Sequence, residues 1–129
     1  MNAPLAATEN ALRFRWLEAP PAAASREVAP GVIWLRMPLP FALDHINLWL
    51  LADGDGWTQV DCGYGDAATR ELWQEHFTST LQGRPIRRVI ATHYHPDHVG
   101  NAGWLAARWD CAVAWAAYTL MTALTIAAC

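Results

Sequence analysis

Two apolar runs held apart by four turn residues constrain this chain more than any other feature. Ile46-Asn47-Leu48-Trp49-Leu50-Leu51 and Trp57-Thr58-Gln59-Val60-Asp61 flank Asp53-Gly54-Asp55-Gly56. Asp-Gly pairs supply the positive-φ backbone of a tight turn, so the segment predicts an antiparallel hairpin. Upstream, Pro30-Gly31 marks another turn, and residues 32–37 form a strand closed by Pro38 and Pro40. These strands carry apolar residues on both faces, as a sheet covered on both sides does. Asp66 then caps a helix running to about Leu81 and ended by Gly83. Residues 86–92 read as a strand, about 101–109 as a helix, 111–115 as a strand, and 117 onward as a final helix. This alternation predicts an α/β layered architecture. Residues 1–27, rich in Ala and Pro, read as an irregular leader before the domain portion of 28–129.

Composition narrows the function classes. In 129 residues, 53% are hydrophobic and 16% charged, which excludes overall disorder. The net charge of −3 argues against a nucleic-acid partner. Trp34, Trp49, Trp57, Trp73, Trp104, Trp109 and Trp115 fall on predicted strands and helices and are expected in the core. Cys62, Cys111 and Cys129 form no CxxC pair, so a reduced, cytoplasmic setting with buried thiols is expected. Residues 1–10 lack the basic and apolar regions of a secretion signal. Residues 111–129 carry no charge and approach the length of a bilayer span. Their apolar content is mostly Ala interleaved with Thr119, Thr122 and Thr125, so a buried strand and helix are expected, and no membrane.

The segment that carries chemistry is Thr92-His93-Tyr94-His95-Pro96-Asp97-His98-Val99-Gly100, with three of the chain's five histidines. In an extended segment, side chains i and i+2 face the same way, so His93 and His95 can present imidazoles to one metal ion. Pro96 turns the backbone, and Asp97 and His98 can then meet a second ion beside the first. Imidazole with carboxylate suits zinc, and also iron or manganese. The loop follows an apolar strand at its carboxyl end, where α/β sheets place their sites. His76 is expected to be solvated on its helix and His45 to lie at the surface, with a place at the mouth of the site as its alternative. Of Arg87 and Arg88, one is expected solvated and the other paired.

This H-x-H-x-D-H loop closely resembles the signature of the metallo-β-lactamase superfamily. Ile46–Leu51 with Asp53-Gly54-Asp55-Gly56 looks like its opening hairpin, Val60-Asp61-Cys62-Gly63 like its D-x-G loop, and Arg88-Val89-Ile90-Ala91-Thr92-His93 like the strand feeding the metal loop. The resemblance implies an αββα sandwich of which this chain is the first half. It implies His93 and His95 as ligands of a first metal, and Asp97 and His98 as ligands of a second. Asp61 matches a buried family carboxylate beside the site, supporting the ligands from behind; a strand-end turn former is the alternative.

By the same resemblance, the protein is a metal-dependent hydrolase of small molecules. A metal-activated hydroxide attacks an ester, thioester, lactone or amide carbonyl, with Asp97 orienting the nucleophile and handling its proton. The family's second half supplies a third His, a bridging Asp and a final His, whereas this sequence has no histidine after His98. The alternative expectation is therefore a truncated, catalytically inactive fragment that self-associates through an uncovered sheet.

Overall fold

The computed structural model describes residues 13–115. Six strands form one sheet in sequence order: β1 (Ser25–Ala29), β2 (Val32–Pro38), β3 (His45–Asp53), β4 (Gly56–Val60), β5 (Ile86–Ala91) and β6 (Ala112–Trp115). The first four pair antiparallel, and β4, β5 and β6 run parallel. Helix α1 (Ala67–Ser79) links β4 to β5, while α2 (Pro96–Val99) and α3 (Ala102–Trp109) link β5 to β6. The Asp53–Gly56 hairpin forms as expected, with Gly54 at φ 60° supplying the left-handed turn residue. Asp66 caps α1, its carboxylate accepting from the Thr69 amide at 2.8 Å.

Leu35, Met37, Ile46, Leu48, Leu50 and Val89 of the sheet pack with Trp73 and Phe77 of α1 and Ala102 and Leu105 of α3 in one buried cluster. The Trp73 indole donates to the Cys62 carbonyl at 2.9 Å, so the core also pins the chain leaving β4. On the opposite face, Trp34, Trp49, Val60, Ile90 and Ala114 stand in register across five strands. The first four of these are only half-buried. Cover on both sides was the expectation; among the described residues the helices cover one.

That asymmetry sorts the tryptophans. Trp57 and Trp73 are buried, and Trp34, Trp49, Trp104 and Trp109 are half-buried. Trp115 is exposed rather than in the core. Trp34 and Trp49 stack on the open face with centroids 6.0 Å apart. His76 departs furthest from expectation: it is fully buried, because α1 buries the stripe Thr69, Trp73, His76 and Phe77 at helical spacing. Its Nε2 donates to the Ala22 carbonyl at 3.1 Å and its Nδ1 accepts from the Thr80 hydroxyl at 2.8 Å, clipping the leader to the helix. Burial pushes the His76 imidazole below its ordinary pKa.

Arg87 and Arg88 both find carboxylates, Asp55 and Asp53, because the hairpin turn sits beside the start of β5. Strand β1 takes the last residues of the leader, and α2 adds a helical turn inside the histidine loop. Cys62 is buried and Cys111 half-buried, both as free thiols. Cys129, the helix expected from 117 onward and most of the uncharged stretch lie outside the described residues. No helix among the described residues is long and apolar enough to cross a membrane.

Candidate metal centre

Parallel neighbours β4 and β5 end at the same edge of the sheet, so the chain leaves them side by side at Asp61 and Thr92. Asp61 adopts a left-handed conformation, φ 57°, which turns its carboxylate across toward β5. Two contacts hold that conformation: the Gln59 side-chain amide donates to the Asp61 carbonyl at 2.6 Å, and the Asp61 amide donates to the Ile90 carbonyl at 2.8 Å. The carboxylate then accepts from the Thr92 amide and hydroxyl, each at 2.8 Å, and from His98 Nδ1 at 2.8 Å.

The histidine loop is fixed just as tightly. Pro96 opens α2 at a position where its missing N–H costs nothing, and the His95 carbonyl accepts from the amides of His98 and Val99. The Cys62 amide donates to the His98 carbonyl at 2.7 Å, tying this loop to the turn after β4. Gly65 and Gly100 meet backbone to backbone; a Cβ on Gly100 would sit 2.6 Å from the Gly65 nitrogen. Buried Asn101 closes the clamp, donating to the carbonyls of Tyr64 at 2.7 Å and Cys62 at 3.3 Å.

The imidazoles cluster on this frame. His93 Nε2 and His95 Nδ1 stand 3.1 Å apart, and the His93 and His98 rings lie 3.7 Å apart at their centroids. Two nitrogens sharing a tetrahedral zinc at bonds of about 2.0–2.1 Å would stand about 3.3 Å apart, so the first pair suits one ion. Because the Asp61 carboxylate can only accept, His98 Nδ1 donates to it, which turns Nε2 the other way. His98 Nε2 lies 3.4 Å from Asp97 Oδ2. The donor set therefore fits a cation in chemistry and in pairwise spacing. Among the described residues, no three His, Cys, Asp or Glu side chains converge on one point. Partial burial, followed by the neighbouring His98 and His95, pushes the His93 imidazole below its ordinary pKa.

Several residues of this site carry no motif and escape a reading of the sequence. Gln59 and Asn101 are buried amides whose partners are backbone carbonyls of distant turns. His45, expected at the surface with the mouth of the site as the alternative, is half-buried there, because it opens β3 at the edge where β4 and β5 end. It lines a cavity of about 330 Å³ with Leu43, Ile46, Asn47, Asp97 and His98. Its Nδ1 donates to Asp44 Oδ1 at 2.7 Å.

The chain thus combines a mixed sheet, helical cover on one face and a histidine loop at the carboxyl end of a parallel strand. The profile of the metallo-beta-lactamase superfamily matches residues 42–127, and the chain belongs to that family. A beta-lactamase domain protein from Burkholderia ambifaria is similar at a TM-score of 0.76 and 47% identity, covering 87% of this chain and 38% of that one. A metallo-beta-lactamase family protein from Thermus thermophilus gives a TM-score of 0.56 at 29% identity, over 63% of this chain and 27% of that one. A hydroxyacylglutathione hydrolase from Thiobacillus denitrificans is 31% identical over 77 residues, which are 60% of this chain and 27% of that protein. The chain thus spans between a quarter and two fifths of these relatives.

Proposed function

We propose that this chain is the metal-binding portion of a hydrolase that opens a carbonyl compound: an ester, thioester, lactone or amide. The observation that carries the reading is the alignment of Asp61, His98 and Asp97. The Asp61 carboxylate orients His98 so that its Nε2 and a second carboxylate oxygen, on Asp97, face each other at 3.4 Å. With His98 neutral, these two atoms are a pair of donors to one cation. His93 with His95 would hold one ion and Asp97 with His98 another, zinc by donor type, with iron or manganese also compatible. When bound, such an ion supplies a Lewis acid and lowers the pKa of a coordinated water to about 7. Asp97, half-buried beside His98, orients the attacking water and takes its proton. His45, Leu43 and Ile46 give the small-molecule substrate a partly apolar wall. The relationship to a hydroxyacylglutathione hydrolase supports hydrolysis as the reaction class.

The test is metal content with activity. His95→Ala is expected to lose both, and an unchanged metal content by mass spectrometry would overturn the ligand assignment. A second reading follows from the absence of any three convergent donors among the described residues. On that reading these 129 residues alone bind metal weakly and turn over no substrate, the remaining ligands being supplied by the rest of the domain. An esterase or lactamase assay on the isolated chain, with zinc titration, decides between them.

A further inference from the structure

A second cavity, of about 380 Å³, lies on the far side of His45, lined among others by Pro20, Ala22, Arg36 and Asp44. Because His45 lines both cavities, the two are neighbours along the edge of the sheet that carries Asp61 and the histidine loop. Arg36, near the end of β2, is half-buried. Among the described residues it makes no hydrogen bond and no ion pair within 4.0 Å, whereas Arg87 and Arg88 are both paired. A guanidinium with no hydrogen-bonded partner on a cavity wall is an anion-binding group, and its planar fork matches a carboxylate. Asp44 shares the cavity, with its side chain 82% exposed and one oxygen held by His45; that hydrogen bond first, then the charges of His45 and Arg36, hold its carboxyl below the ordinary value. Its negative charge disfavours dianions and narrows the fit to a single carboxylate. The leader wall is held in place by the bond from His76 to Ala22.

We propose that the substrate is an acyl compound bearing one carboxylate, which Arg36 binds in this second cavity while the scissile carbonyl lies beside Asp97 and His98. The inference rests on the hydrolase reading above for the carbonyl end only. The test compares the p-nitrophenyl hemi-ester of glutaric acid with neutral p-nitrophenyl pentanoate on the purified protein. The hemi-ester is expected to show the lower KM, and Arg36→Gln to raise that KM by about tenfold, as for loss of one charge-assisted bond, so that the preference disappears. Arg36→Lys should restore part of it. In parallel, pentanoate and pentanamide are titrated into metal-free protein and followed by NMR. Pentanoate is expected to bind wild type and not Arg36→Gln, and pentanamide to bind neither. If neither ester is cleaved but pentanoate still binds through Arg36, the hydrolase reading fails and the carboxylate site stands. An unchanged preference in Arg36→Gln, or pentanoate binding indifferent to position 36, overturns the proposal. Should Arg36→Gln fail to fold by circular dichroism, the weakened preference of Arg36→Lys relative to wild type decides it.

Discussion

At the residue scale, the site turns on one carboxylate. Asp61 occupies a strained left-handed conformation and spends its acceptor capacity on Thr92 and His98, two groups carried by a different strand and loop. Asp61→Asn keeps the size but can offer His98 an N–H instead of an acceptor, which scrambles the tautomer. Zinc affinity is expected to fall about 10–100-fold, measured by competition with a chromophoric chelator. His76 makes a separate prediction, on stability. Burial holds its imidazole below the ordinary value of 6.5, so the unfolded chain binds the proton more tightly than the folded one. The neutral form's stability is therefore complete above about pH 6.5 and is lost as the pH falls below it. Thermal unfolding between pH 7 and 5 should show a falling Tm. In His76→Gln that component should flatten, with a loss of about 1–3 kcal/mol at neutral pH from the two broken hydrogen bonds.

At the scale of elements, two contacts decide whether the strand ends form a site. The first is the cap of α1, where the Asp66 carboxylate satisfies the Thr69 amide. Asp66→Ala should cost about 1 kcal/mol in urea unfolding, with little effect on the histidine loop. The second is the backbone contact between the turn after β4 and the turn of α2. Gly100→Ala would drive its methyl against the Gly65 nitrogen and the Pro96 carbonyl, neither of which can yield as a flexible side chain can. The expected outcome is displacement of His98 from Asp61, seen as weaker zinc binding beyond the loss of stability. Zinc affinity equal to wild type in Gly100→Ala would show that the loop tolerates a shift there.

At the scale of the whole molecule, the open face of the sheet sets the behaviour of the chain in isolation. Trp34, Trp49, Val60 and Ile90 form a half-buried apolar row, and each large side chain left in water forgoes about 1.5–3 kcal/mol of burial. We expect the isolated 129-residue chain to self-associate and to bind ANS. Size-exclusion chromatography with light scattering checks it, and a cooperative monomer without ANS binding would be the contrary result.

The hairpin around Asp53-Gly54-Asp55-Gly56, the capped helix from Asp66 and the strand before His93 were legible in the sequence, because each is specified by neighbours within a few residues. The histidine loop was legible for the same reason: its donors fall within six positions. Tertiary structure alone decided which groups meet them. The family resemblance of its D-x-G loop put Asp61 beside the site; that it meets His98 follows from β4 and β5 being parallel neighbours, a pairing between residues far apart in sequence. Asn101 and Gln59 serve as clamps because folding brings orphan carbonyls to them. His76 reads as one more polar residue on a charged helix until the leader supplies a carbonyl for its ring. Arg36 and His45 gain meaning only when the ends of β2 and β3 come to the edge that holds the site. Local chemistry is written in local spacing, but a hydrogen-bond partner across the sheet is chosen by strand order, which no short window of sequence contains.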